Sequence, residues 1–215
     1  MKDFSISKRL ELHAVWLKTL GTEGIRLDLA GDDMRGAQLR NASLVGAKLC
    51  GTDFRHADLS HVNFTGSDLA GADLRGADLQ GADFATASLK GVRLRSANLH
   101  KANLPHATLR YSDLRGTILI EANLTDADMM SANLKGVNMS DSKLRAANLC
   151  GADLSNAILT GADLSYAELL GASFRGAVFD ENTTFKHATI NADAVWNANI
   201  SVIRKENLPT AHCVG

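Results

Sequence analysis

Large apolar residues recur at a fixed interval of five along most of this chain. From Leu29 to Phe179 every position ending in 4 or 9 is Leu, Phe or Met, 31 positions in all, and no insertion or deletion breaks the series. Two places before nearly every such centre stands a small residue, most often alanine, as at Ala72, Ala77 and Ala82. One place before it stands Asp or Asn in most blocks, and two places after it glycine in about half. The stretch Gly66 to Phe84, GSDLAGADLRGADLQGADF, has the pattern at its clearest. Self-similarity at a fixed period points to a repeat architecture before any local reading of helix or strand.

A period of five fits neither a helix, at 3.6 residues per turn, nor a strand, at two. The centre and the small residue are two apart and face the same way on extended backbone, while their neighbours face the opposite way. Glycine, which tolerates positive φ, then turns the chain. Each block is thus a very short strand and a corner, and successive blocks wind into a coil with apolar side chains inside. A second beat sets the number of sides. Lys or Arg follows the centre in 11 of the 31 blocks, and seven of these fall in one 20-residue series: Arg35, Arg55, Arg75, Arg95, Arg115, Lys135 and Arg175, with Ser155 as the exception. Twenty residues are four blocks, so the coil has four sides.

The A-D/N-L-X-G blocks resemble the pentapeptide-repeat proteins over roughly 70% of the chain. The resemblance implies an all-β solenoid, a right-handed quadrilateral β-helix. It agrees with the four sides read from the basic series. At about 4.8 Å per strand spacing, about eight coils would make a rod some 35–40 Å long. His13, Trp16, Leu17, Gly21 and Gly24 also resemble the H-x-x-W-L-x(3)-G-x-x-G lead-in found before some bacterial pentapeptide repeats.

The expected organisation is an N-terminal helical cap over residues 1–25, the β-helix over 26–180 and a C-terminal cap and tail over 181–215. Ser7 to Leu20 reads as a helix with Ser7 as N-cap, Gly21 as stop, and Leu10, His13, Ala14 and Leu17 on one face beside Trp16. A cap would cover apolar side chains and strand edges that otherwise invite end-to-end association. After Asp180 the register slips by one, with Phe185 and Ile190 carrying the beat. Asn191 is placed to cap a short helix holding Val195 and Trp196, and Pro209 ends regular structure. Trp196 and Ile200 would suit a homodimer contact, with a plain monomeric cap as the other reading.

Composition narrows the function. Net charge is −1, so no strong polyelectrolyte partner and no direct nucleic-acid binding is implied. No long apolar run opens the chain, which predicts neither signal peptide nor membrane span. Cys50 and Cys150 fall five coils apart and cannot bridge each other, and free thiols fit a reducing cytoplasm. The histidines make no metal set, no hydroxyl sits in a nucleophile–base arrangement, and no glycine run forms a phosphate loop. Neither catalysis nor a cofactor is expected.

Binding remains. Asp33, Asp53, Asp73, Asp113 and Asp153 stand two before the basic series on the same side, predicting a self-compensated charge ladder. The competing reading is a surface for an anion or acidic partner, strongest at Arg93 and Arg95, where Arg replaces Asp. Numbering sides from Leu29, the third side changes along its length: Gln38, Asp58, Asp78 and Asn98 give way to Ile118, Asn138, Ile158 and Val178, with Ile120 outward beside Ile118. An exposed apolar patch of that kind marks an interface, unless the C-terminal residues fold over it. The expected function is a non-catalytic scaffold presenting flat sides to a protein partner. The resemblance to quinolone-resistance members offers an alternative, a DNA mimic that binds a type II topoisomerase such as gyrase. Residues 26–180 carry 18 acids and 16 bases, which supports that mimicry poorly.

Overall fold

The computed structural model describes residues 4–190 and 202–208. One helix, α1 (Ile6–Lys18), precedes a four-sided parallel solenoid. The residue before each centre pairs with the residue 20 positions on: Asp28 with Lys48, Asp33 with Asp53, Gln38 with Asp58, Ser43 with Asn63. The basic beat and the strand pairing therefore share one period.

Backbone hydrogen bonding explains why the block is five residues long and why it has this composition. In the block Ala72 to Gly76, Ala72 N–H closes the turn on the Leu69 carbonyl and Asp73 N–H reaches back one coil to Thr52 O. Leu74 N–H and Gly76 N–H reach forward one coil, to Arg93 O and Arg95 O. That leaves Arg75 N–H, and the Asp73 carboxylate accepts it at 3.3 Å. Asp or Asn before the centre thus takes up the one N–H that the coil does not satisfy. The same bond recurs at Asp28, Asn63, Asp83, Asn98, Asn123 and Asn148.

The interior is a column of centres and small residues. Leu74, Leu79 and Phe84 are fully buried, as are Ala72 and Ala82. Phe64 and Phe84 stack at 4.7 Å on successive coils. Where Ser or Thr takes the small position its hydroxyl donates to a carbonyl, as Ser67 does to Phe64 and Thr117 to Leu94. Burial weakens at the N-terminal end, against the expectation that apolar side chains lie inside: Met34, Ala37 and Ala42 have no coil before theirs and are only half-buried, while Leu29 and Leu44 of the same coil are fully buried. The corner residue has positive φ whether or not it is glycine: Gly76 at 66°, but also His56 at 58°, Thr86 at 58° and Tyr111 at 58°.

α1 departs from its expected form. Ser5, not Ser7, is the N-cap, accepting from Lys8 N–H at 3.3 Å, and the helix ends at Lys18 with Thr19 as C-cap. Its most buried residues are Arg9 and His13; Ala14 is exposed and Leu10 and Leu17 are half-buried. The reason is what α1 lies against. The first coil offers unpaired backbone groups as well as apolar side chains. His13 Nδ1 accepts from Leu27 N–H at 3.1 Å, and Arg9 donates to Asp28 O and pairs with Asp32 at 2.8 Å. The lead-in glycines make this docking close. A Cβ on Gly24 would lie 2.4 Å from Leu12 O, and one on Gly21 would lie 3.1 Å from the Trp16 ring.

At the other end the pairing lengthens by one residue, to Asp163 with Thr184 and Glu168 with Thr189. Phe185 is fully buried and Ile190 half-buried, so the slip falls where the hydrophobic beat places it. Asp180 bridges the irregularity: its carboxylate accepts from Gly161 N–H at 2.8 Å and from Thr183 N–H at 3.0 Å. Residues 202–208 then lie against the last blocks, with Phe185 N–H donating to Asn207 O and Ile203 buried.

Candidate interaction surfaces

Side two carries the charge ladder. Arg35, Arg55, Arg75 and Arg115 each fork onto the aspartate two residues earlier, with the shortest contacts at 2.6, 2.7, 2.7 and 2.6 Å. Weaker contacts link the coils: Arg35 to Asp53 and Arg55 to Asp73, both at 3.8 Å. The hydrogen bonds from Arg35 hold the Asp33 carboxyl at about 2, well below the usual carboxylate range. At Asp73 burial is the largest influence and raises the pKa, but the hydrogen bonds from Arg75 and the charge of Arg93 outweigh it and the net shift is downward.

The ladder changes character at four rungs, one of them Asp153–Ser155, where no base follows and the Ser155 N–H donates to the Asp153 carboxylate at 3.0 Å. Lys135 has Asn133 in its own block and reaches Asp153 of the next coil at 3.4 Å. Arg175 follows Ser173 and has no ion pair among the described residues. At the Arg93–Arg95 rung, Arg93 leans back to Asp73 at 3.6 Å. Arg95 is exposed and has no ion pair within 4 Å among the described residues.

Side three carries the apolar column. Ile118, Ile158 and Val178 are 41%, 38% and 51% exposed. They are the only apolar residues that stand just before a centre between Asp28 and Val178. Pairing through Asn138 stacks all three on one side. Ile120, just after the same centre as Ile118, is half-buried in the turn between His100 and Ser140, its counterparts on the adjoining coils.

The corner columns hold a feature that the five-residue pattern alone does not announce. Long corner side chains lie along the axis over the next corner, so glycine follows many of them. A Cβ on Gly76 would sit 2.7 Å from His56 Nδ1, and one on Gly81 would sit 2.6 Å from His61 Nδ1. Elsewhere consecutive corners pair: Lys101 with Glu121 at 3.5 Å, and Tyr166 with His187 at 4.8 Å between rings. Among the described residues no His, Cys, Asp or Glu group has metal-binding geometry. Burial raises the pKa of the free thiols of Cys50 and Cys150. No described helix is long and apolar enough to cross a membrane. Trp196 and Ile200, the expected dimer residues, and the short helix expected from Asn191 lie outside the described residues.

Comparison with known proteins gives this geometry a context. The family model for pentapeptide repeats matches residues 33–71, 67–105, 107–145 and 142–180. Among solved structures, HetL, a pentapeptide-repeat protein involved in heterocyst differentiation regulation in the cyanobacterium Nostoc sp. strain PCC 7120, is 33% identical. That match covers 77% of this chain and 85% of HetL, at a TM-score of 0.50. A form of QnrB1, a plasmid-mediated fluoroquinolone resistance protein, is 22% identical over 86% of this chain and 89% of its own, at a TM-score of 0.64, a likeness of fold. A search of curated protein sequences returns no match.

Proposed function

The chain belongs to the pentapeptide-repeat family, and on that premise we propose that it is a non-catalytic interaction scaffold that presents flat, rigid sides to a protein partner. In this reading the rod has about eight coils, closed by residues 1–25 at one end and 181–215 at the other, because a solenoid needs its terminal repeats covered. The observation that carries the reading is the column Ile118, Ile158 and Val178, exposed on one side where the same position elsewhere is polar. Apolar residues gathered in this way mark protein contact surfaces. Three pairing steps separate Ile118 from Val178, about 14 Å at one strand spacing each, a footprint suited to one helix or strand of a partner.

The double variant Ile118→Asp/Ile158→Asp tests it. Both side chains point outward, so thermal unfolding should change little, within about 0.5 kcal/mol per site. Affinity capture from the source cell should lose the partner that the parent protein retains. Equal capture by parent and variant would remove side three from the reading. The forked arginines neutralise Asp33, Asp53, Asp73 and Asp113 of side two, which speaks against a duplex-like negative surface there, and in the scaffold reading gyrase supercoiling should be unaffected by the protein.

A further inference from the structure

We infer that the Arg93–Arg95 rung is a docking point for a carboxylate side chain from an acidic segment of a partner protein. The inference rests on the scaffold reading for the existence of a partner, and deepens it by naming the partner's chemistry.

The neighbouring rungs define what this one can hold. At Asp33–Arg35, Asp53–Arg55, Asp73–Arg75 and Asp113–Arg115 the carboxylate performs two tasks. It accepts the arginine's backbone N–H, at 3.2, 3.2, 3.3 and 3.3 Å in turn. It also takes Nε and Nη2 of the same arginine side chain, as at Arg75, with 2.8 and 2.7 Å. In the 93–95 block arginine stands where the aspartate would be, and its side chain turns to Asp73. Arg95 keeps the same backbone course, its carbonyl accepting from Gly76 N–H at 3.1 Å. Its N–H and its guanidinium make no hydrogen bond to a carboxylate among the described residues, and its charge reaches only Asp113 of the next coil, whose pKa it helps to lower. A carboxylate from outside, seated beside Arg95, would meet one backbone donor and a planar fork, with Arg93 adjacent. Arginine recognises carboxylates in that bidentate manner.

Long-range charge points the same way. Between Asp83 and Asp113 lie 29 residues with Lys90, Arg93, Arg95, Lys101 and Arg110 and no acid, while the other 186 residues hold 18 bases and all 24 acids. A chain that is nearly neutral overall is thus basic in one band and net acidic elsewhere. Some of that band is answered locally, Lys101 by Glu121 and Arg110 by Asp128. The rung on side two is where two arginines share one block. A protein carboxylate suits it better than a nucleic acid. Duplex DNA carries a charge every ~1.7 Å of axis, and a backbone laid along the rod would meet Asp73 and Asp113 one coil, about 4.8 Å, to either side. A single carboxylate brings one charge to the rung, beside Asp73 held by Arg93 and Asp113 within reach of the Arg95 charge, where a phosphate backbone would bring a row of them.

The test uses fluorescence anisotropy with a labelled peptide of alternating Glu and Ala, its Gln counterpart, and a short DNA duplex. The full-length parent should bind the Glu peptide, with affinity falling as salt rises, and should bind the Gln peptide and the duplex more weakly. Arg95→Ala should weaken Glu-peptide binding at least about tenfold, the scale of a lost charged hydrogen bond. Arg93→Asp should do the same while melting at or above the parent's temperature, because the introduced carboxylate would serve Arg95 from within the chain. Arg75→Ala, at a rung already served by Asp73, should leave binding within about twofold. Glu-peptide binding by Arg93→Asp equal to the parent's, no binding by the parent, or tighter binding of the duplex with the same arginine dependence would each overturn the inference. Ile118→Asp/Ile158→Asp should still bind the Glu peptide. Failure of partner capture with peptide binding intact would count against side three alone, and loss of peptide binding in the parent against the rung alone.

Discussion

At the scale of the residue, the five-residue block is a solution to backbone hydrogen bonding. Four N–H groups are satisfied by the turn and by neighbouring coils, and the fifth by the Asp or Asn side chain. The corner is the strained position, since an L-residue at positive φ costs roughly 1–2 kcal/mol. Thr86, β-branched and at φ 58°, carries that strain most plainly. Thr86→Gly should raise stability by about 0.5–1 kcal/mol after glycine's own entropic cost is set against the relieved strain. Gly76→Ala should act in the opposite direction, by about 1–3 kcal/mol, from positive φ and from overlap with the His56 ring. Urea unfolding of the two variants measures both. The glycines at corners were legible in the sequence, because glycine announces positive φ. The same geometry at His56, Thr86 and Tyr111 was not, because nothing in those residues asks for it; only the unbroken spacing of the centres on either side does.

At the scale of the element, α1 shows where a hydrophobic pattern misleads. An amphipathic reading selects Leu10, Ala14 and Leu17 as the inner face, yet Arg9 and His13 are the buried residues. A helix lying on the open end of a β-coil meets backbone donors and acceptors, and polar side chains are needed to satisfy them. The H-x-x-W-L lead-in carried that information as a motif, without showing that its histidine accepts a strand N–H. His13 therefore couples docking to pH. Burial lowers its pKa below 6.5, as does Arg26, while the Val45 carbonyl works against the shift. Arg9, the other charged side chain buried beside it, is also cationic and is paired with Asp32. The unfolded chain takes up a proton near pH 6.5 and the folded chain only below that. The docking contribution is therefore complete above about pH 6.5 and is lost as pH falls through the lowered folded value. Trp16 reports it, stacked on His13 at 5.6 Å. In a Trp196→Phe background, Trp16 fluorescence should change on acidification below that range. His13→Gln, which can still accept Leu27 N–H but does not titrate, should flatten the response, and an unchanged profile would detach His13 from the effect.

At the scale of the whole molecule, four-sidedness was readable from one outer column of arginines, and the slip after Asp180 from the displaced Phe185. The interior repeat could not show how the slip is repaired: Asp180 stands just after a centre, where other blocks use a backbone carbonyl for the preceding corner. The apolar column of side three was likewise visible, whereas the part of the C-terminal reading built on Trp196 and Ile200 falls outside the described residues. A solenoid of this kind couples each coil only to its neighbours, so position along the rod should govern the cost of a defect. Leu79 is fully buried with coils on both sides, and Met34 is half-buried in the first coil. Leu79→Ala should cost about 2–5 kcal/mol, and the central cavity should weaken contact with the coils above and below together. Met34→Ala should cost less than about 2 kcal/mol, because less apolar surface leaves contact and the end can fray. Hydrogen exchange separates the two cases. Leu79→Ala should speed exchange of amides on both sides of the defect, at Leu59 and Leu99. Met34→Ala should speed it only in the first coils and leave Leu99 and Met139 protected. Equal acceleration along the whole rod by both variants would mean that the solenoid unfolds as one unit rather than coil by coil.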